Sequence, residues 1–384
     1  MTEAGVYIHV PFCAGVCDYC DFYSVPVMSA DKRLDQFADM VLADLESSLN
    51  VHGISRVPTV YIGGGTPSVL GAARLSRLLT GVGDLLPDPQ GLREFTLEAN
   101  PESADEAVLR ACRDYGVTRL SLGVQSFHEP SRRAVHRVGE TALLPERLKL
   151  AAEIFGNALS LDLMTGLPFQ TEPILLKDIE KALSYNPGHI SLYALTIEEN
   201  TPLAKVSRIL PAPDEADRLW IAARDTLETA GYPQYEVSNF VLPGRQSAHN
   251  IRYWRMENWL GLGPGGSGTL IDDETGTGWR RTFIPNLDAW LDRDASRAIY
   301  TEEYLDQPAL IQESILMGFR CLSGPDCALF EKRFHRPLES LIPQTLRRWK
   351  RRGLLQEHTL ALTKEALLFL NIFLAEAFEE LPHS

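Results

Sequence analysis

Three cysteines fall within eight residues, Cys13-Ala-Gly-Val-Cys17-Asp-Tyr-Cys20, directly after the strand-like run Gly5 to Val10. Thiolates are soft ligands for zinc or iron-sulfur clusters, and a loop this short can wrap all of them around one centre. A structural zinc site wants four protein ligands, whereas a four-iron cluster held by three cysteines keeps one iron open for a further ligand. Zinc would have to enlist His9 from the strand itself, and a redox pair at Cys17 and Cys20 would leave Cys13 without a role. The spacing points to a [4Fe-4S] cluster on Cys13, Cys17 and Cys20. The other cysteines, Cys112, Cys321 and Cys327, lie on or near helical patterns and read as inert thiols.

The loop resembles the signature of the radical S-adenosylmethionine (SAM) superfamily, CxxxCxΦC, with Tyr19 as the aromatic residue. That resemblance implies that the amino and carboxylate groups of SAM chelate the open iron. An electron passed to the sulfonium would release a 5'-deoxyadenosyl radical, so the chain also needs an electron donor. The protein's share is to bind and orient the cofactor.

Other polar motifs recur where strand-like runs end. Gly63-Gly64-Gly65-Thr66-Pro67 follows the second strand, Glu98-Ala99-Asn100-Pro101 ends the third and Gly123-Val124-Gln125-Ser126 the fourth. Asp162 with Gly166-Leu167-Pro168 ends the fifth, and Tyr193-Ala194 the sixth. In a parallel barrel these ends meet at one mouth. Glycines 63 to 65 let the backbone approach the amino-acid end of SAM, and Glu98 and Asp162 offer acceptors to its ammonium or ribose hydroxyls. Gln125 donates and accepts, and Arg137 can pair with a carboxylate. Each residue alone also has a bland reading, as a tight turn or a helix cap; their convergence favours a site.

The match narrows further. Tyr7-Ile-His-Val-Pro-Phe-Cys13, GGGTP, the Glu98 segment, GVQSF, Arg137 and LDLMTGLPFQT resemble the oxygen-independent coproporphyrinogen oxidase family. By that resemblance Tyr7, Tyr19, Gly64, Gly65, Thr66, Glu98, Gln125, Arg137, Asp162 and Ala194 occupy SAM-binding positions. The oxidases carry CxxxCxxCxC, but Phe22 stands at the fourth cysteine's place. They also have a longer segment before the cluster. Both differences favour the HemW-type branch, whose members serve as heme chaperones, and imply heme and heme-accepting proteins as partners. The alternative is an oxidoreductase of porphyrin biosynthesis.

His249-Asn250-Ile251-Arg252-Tyr253-Trp254, followed by Trp259, resembles the HNxxYW motif of those chaperones. An imidazole is a natural axial ligand for heme iron and aromatic rings offer flat apolar surface, so His249 is the expected heme residue. The competing reading is a structural His-Asn pair beside core aromatics. Gly261 to Gly268 spells GxGxxG, but Pro264 interrupts it and no helix follows, which excludes a dinucleotide fingerprint.

These residues need a frame to hold them. Strand-like runs Gly5–Val10, 59–62, 95–99, 120–124, 159–163 and 190–195 alternate with helical patterns, the arrangement of a parallel sheet with crossover helices. Six such units suggest an α/β fold, a partial (β/α)6 TIM-like barrel over residues 1–240. A capping box from Ser103 to Glu106 is expected to open one helix, and Asp31 to cap another. After residue 241 the texture changes: the stretch from Tyr253 to Trp279 shows little periodicity, and helical patterns run from Ala309 onward. A smaller, mostly helical domain over 241–384 is the expectation.

The chain has 384 residues, 45% of them hydrophobic, with a formal charge of -14. Such a charge disfavours nucleic acid as a partner. The basic run at Arg347, Arg348, Lys350, Arg351 and Arg352 reads as a solvated helix face, allowing at most peripheral membrane contact. The N-terminus lacks a signal pattern and the apolar run Ala366 to Ala375 is too short to span a bilayer, so a cytoplasmic location is expected. Oligomeric state is open.

Overall fold

The computed structural model describes residues 2–205, 210–293 and 299–382. Its centre is an open eleven-stranded sheet. The first six strands are β1 (Gly5–Val10), β2 (Thr59–Gly64), β3 (Glu94–Ala99), β4 (Arg119–Gln125), β5 (Leu159–Thr165) and β6 (His189–Ala194), each parallel to the next. They form the expected partial barrel. Beyond it, β7 (Asn239–Val241) adds antiparallel to β6, while β8 (Trp259–Leu262) adds parallel to β1 on the opposite side. Antiparallel β9 (Ser267–Asp272), β10 (Thr277–Phe283) and β11 (Tyr300–Leu305) complete the order.

Alternation decides what each strand does, because successive side chains point to opposite faces. Val6, Ile8, Val60, Ile62, Leu97, Leu122, Leu161 and Ile190 are fully buried in one apolar core with the crossover helices. Each such side chain contributes about 1.5–3 kcal/mol of burial. The residues between them, among them Tyr7, Tyr61, Glu94, Glu98, Arg119, Ser121, Asp162 and His189, are polar and line the inner face. An ordinary barrel fills this space with layers of branched apolar residues; here it is kept polar.

Helix α1 (Arg33–Val51) buries Leu34, Phe37, Ala38, Val41, Leu45 and Leu49 on one stripe, as its spacing predicts. Its N-cap is Lys32 and not the expected Asp31, which stands one residue further out and accepts from the Arg33 amide at 2.9 Å. Helix α2 (Gly71–Leu85) follows β2. At α3 (Glu106–Asp114) the expected capping box does not form: Asp105 is the cap, accepting from the Val108 amide at 2.8 Å, while the Ser103 hydroxyl pairs with Ser68. The crossovers continue with α4 (Leu144–Phe155), α5 (Glu172–Leu183) and α6 (Pro213–Thr229).

The stretch between Tyr253 and Trp279, in which the sequence shows little periodicity, forms regular elements. Helix α7 (Ala248–Trp254), β8 and β9 occupy it. Alternation was invisible because the strands approach through glycine: a Cβ on Gly261 would lie 2.1 Å from the Ser267 carbonyl carbon, and one on Gly268 2.3 Å from the Gly261 amide nitrogen. The GxGxxG run thus joins two antiparallel strands. After β11 the chain is mostly helical, with α8 (Gln307–Gly318), α9 (Cys327–Phe334), α10 (Pro343–Arg351) and α11 (Leu370–Glu379) gathered around Phe319, Trp349 and Phe373. A proposed division at 240/241 lies inside the sheet, since β8 to β11 extend it. Among the described residues no helix is long and apolar enough to cross a membrane.

Glu94, at the start of β3, ties these parts together. Its carboxylate accepts from the Ser247 hydroxyl (3.2 Å) and from the amides of Ala248 (2.8 Å) and His249 (3.0 Å), satisfying the orphan donors at the start of α7. Glu94→Ala is expected to lower stability by about 2–4 kcal/mol, because it strands buried donors as well as removing charge-assisted bonds. The denaturant midpoint measures this; a loss below about 0.5 kcal/mol would show that water replaces the carboxylate at no cost.

Candidate functional site

The cysteine loop leaves the end of β1 over Phe12, whose fully buried ring meets Phe37 edge-on at 5.4 Å. It then docks on the segment after β4. The Asp18 amide donates to the Val135 carbonyl (3.0 Å) and the Asp18 carboxylate meets His136 Nδ1 at 2.8 Å. That segment is shaped from within by Arg132. Its guanidinium, 1% exposed, donates to the carbonyls of Val124 (2.5 Å), Val138 (3.0 Å) and Gly139 (3.1 Å).

Cys13, Cys17 and Cys20 line one cavity of about 450 Å³ at the barrel mouth. Cys13 Sγ lies 3.2 Å from Thr66 Oγ1, and Arg137 Nη1 lies 3.7 Å from Cys17 Sγ. Burial pushes the Cys13 and Cys20 thiols up, Cys20 to about 11, so a bound cation is what would hold them as thiolates. Among the described residues no three His, Cys, Asp or Glu side chains are gathered closely enough for a single metal ion. The thiols instead ring a space, which fits a polynuclear centre. His9, the fourth ligand a zinc site would need, is committed elsewhere: Nδ1 to the Tyr7 hydroxyl (3.0 Å) and Nε2 to the Tyr23 carbonyl (2.8 Å).

Of the residues expected at SAM, Tyr19, Gly64, Gly65, Thr66, Glu98, Gln125, Arg137, Asp162 and Ala194 line the same cavity. Tyr7 stands behind it. Asn100, to which the sequence assigned no role, is the hub: its side chain donates to Thr66 Oγ1 (2.9 Å) and accepts from Arg137 Nη2 (2.7 Å). Arg137 Nη2 also donates to the Gly123 carbonyl (2.6 Å). Gln125, at φ +68°, has a buried Oε1 with no partner, an acceptor aimed at nothing in the protein. A ligand bearing N–H or O–H donors would satisfy it.

Gly64 and Gly65 line the cavity, and their lack of side chains is also required within the protein itself. A Cβ on Gly64, at φ +99°, would strike the His9 ring at 2.4 Å, and one on Gly65 the Phe12 carbonyl oxygen at 2.5 Å. They let the turn close on the base of the cysteine loop, with the Gly65 amide on the Val10 carbonyl at 2.9 Å. That closure carries Thr66 to Cys13.

Electrostatically the mouth is acidic. Glu98 accepts from the Tyr61 hydroxyl (2.5 Å) and the Gly64 amide (3.1 Å), yet burial, reinforced by the nearby Asp162, raises its carboxyl to about 7. Asp162, bonded by Ser121 Oγ at 3.1 Å, is likewise raised by burial. Two carboxylates desolvated in one cavity favour a cationic ligand.

His249 does not join this group. It lies at the other end of the barrel beside Thr59, the first residue of β2, and is 0% exposed. Nδ1 pairs with Thr59 Oγ1 (2.8 Å) and Nε2 with the Tyr253 hydroxyl (2.9 Å). With both nitrogens engaged and no surface, the imidazole as placed does not fit an axial heme ligand. The basic run lies on and just beyond α10, with Trp349 turned into the core and Arg347, Lys350, Arg351 and Arg352 exposed. Cys112 and Cys321 are buried and Cys327 half-buried, with burial raising all three thiols.

The chain matches the model of the radical SAM superfamily over residues 7–182 and that of the HemN C-terminal domain over 305–369. Its fold is that of the Escherichia coli coproporphyrinogen III oxidase HemN, with a TM-score of 0.82 over 98% of this chain and 90% of that one at 20% identity. The heme chaperone HemW of Lactococcus lactis is 36% identical over 87% of this chain and 86% of its own length. HemW of Bacillus subtilis is 31% identical over 95% and 96%. Similarity at this level along nearly the whole of both relatives, with the cysteine loop and barrel mouth in place, makes the chain a member of the HemW family within the radical SAM superfamily.

Proposed function

We propose that this protein is a heme chaperone, which binds heme, passes it to acceptor proteins, and carries a [4Fe-4S] cluster and SAM at the barrel mouth. The observation that carries the reading is the end-to-end similarity to proteins named heme chaperones. Phe22 supports it, standing 64% exposed where the oxidases have their fourth cysteine.

In this reading Cys13, Cys17 and Cys20 would hold the cluster, and Thr66, Gln125 and Arg137 line the same cavity. When bound, the cluster supplies an electron to the SAM sulfonium. The chain's own groups bind and orient. Arg137 offers charge to a carboxylate while Asn100 and the Gly123 carbonyl fix its plane; Glu98 and Asp162 take up the ammonium and hydroxyl donors; Gln125 Oε1 finds its missing donor. Tyr19 and Ala194 wall the cavity, and Tyr7 supports it through His9. Residues 1–240 serve this site, and residues 241–384 close the barrel's floor and flank. Heme is assigned no axial ligand among these residues. An electron donor and heme acceptors are the partners, and a reducing cytoplasm suits the free thiols.

Anaerobically reconstituted protein is expected to show a Soret band on titration with heme, and to form no protoporphyrinogen from coproporphyrinogen III. No Soret band, or 5'-deoxyadenosine appearing in step with protoporphyrinogen, would replace the chaperone with an oxidase. For the cluster, Cys17→Ala should lose iron and acid-labile sulfide together. Zinc at about one per chain in the wild type would contradict the cluster assignment.

A further inference from the structure

The HNxxYW segment is placed where the heme reading does not use it, yet its imidazole is too well provided for to be filler. A buried polar ring costs stability unless its partners are fixed, and here both are supplied, from β2 and from α7. Its face is occupied as well: the rings of His249 and Tyr61 lie 5.2 Å apart and inclined by 31°. Tyr253 meets His249 edge-on at 4.8 Å and is itself backed by Trp259 at 4.9 Å, so Thr59, Tyr61 and Tyr253 hold the imidazole on three sides. Tyr61 in turn points along the inner face and donates its hydroxyl to Glu98 Oε1, whose other oxygen accepts from Gly64. A continuous stack therefore runs from α7, through the floor, to the acidic group at the mouth.

We propose that His249 is a positioning residue of the SAM site, acting through the ring of Tyr61 on the carboxylate of Glu98. The proposal rests on the reading that Glu98 faces SAM. Without the imidazole, Tyr61 gains room to swing, and Glu98 loses the donor that fixes its Oε1. The motif of the C-terminal segment then serves the cofactor end of the barrel from a distance.

A merely structural role would lower SAM affinity without changing its dependence on pH. Glu98 accepts from SAM when ionised, so affinity rises as pH passes through its pKa. The Tyr61 bond favours the ionised form, and losing it moves that midpoint to higher pH. Of the other groups that act on Glu98 or feel its charge, Asp162, Arg119, Tyr7 and Tyr193 make no hydrogen bond to the side chain of His249 or Tyr61, while Tyr253 loses its His249 partner in His249→Ala and keeps it in Tyr61→Phe.

The test is equilibrium binding of SAM to the reconstituted full chain between pH 6 and 9. His249→Ala and Tyr61→Phe are each expected to weaken binding by about three- to tenfold at neutral pH and to raise the midpoint. The double variant should do little more than either alone, and His249→Gln, which keeps a donor and an acceptor, should recover most of the affinity. If His249→Ala does not fold, Tyr61→Phe, lacking a single oxygen, still decides the matter. An unmoved midpoint in Tyr61→Phe, or in a folded His249→Ala, overturns the proposal. Should Glu98→Gln bind SAM as the wild type does, the assignment of Glu98 fails and takes this inference with it. A Glu98→Gln loss without a His249→Ala loss sinks the inference alone.

Discussion

Everything in the barrel follows from having to keep its inner face polar while its outer face is packed. Strands buried on both sides usually read as continuous apolar runs. Here the alternation is strict: Leu97 goes outward into the helices, and Thr96 and Glu98 go inward. Stability is therefore drawn almost wholly from the outer shell. The inner face is free to carry carboxylates, hydroxyls and imidazoles whose desolvation the shell must outweigh. The same division explains why burial raises the carboxyls of Glu98 and Asp162: they occupy a space that the fold has dried but not filled.

The two ends of that polar column are managed by different parts of the chain. At the mouth, short loops from successive strands bring Thr66, Asn100, Gln125 and Arg137 to the cysteine loop, and the buried guanidinium of Arg132 shapes one of them by donating to backbone carbonyls. At the floor, α7 comes from 154 residues further along the chain than Glu94, which pins it. A closed barrel would supply its own floor. This one is open, and the C-terminal segment substitutes for the missing turn.

How much of this was legible in the sequence depends on the range of each signal. The six strands were readable because alternation is local, and the cluster loop because three thiols within eight residues have few other uses. Asn100 went unassigned because its partners, Thr66 and Arg137, are 34 and 37 residues away and no periodicity marks a lone amide between Ala99 and Pro101. His249 was read from the resemblance of its motif and from the chemistry of an imidazole; what changes the reading is Thr59, 190 residues earlier, which takes Nδ1. Strands β8 and β9 were hidden by their glycines, which carry no side chain to alternate. In each case the missing information was a tertiary partner, not a local preference.

The position of β1 in the sheet carries a consequence in time. One neighbour, β2, is complete by residue 64, but the other, β8, is not made until residue 262. At about 5–20 residues per second, a ribosome leaves that side of β1 unpaired for on the order of ten to forty seconds. Throughout this interval the cysteine loop hangs from a strand with one open edge. The chain must be shielded from pairing with its neighbours until its own last third arrives.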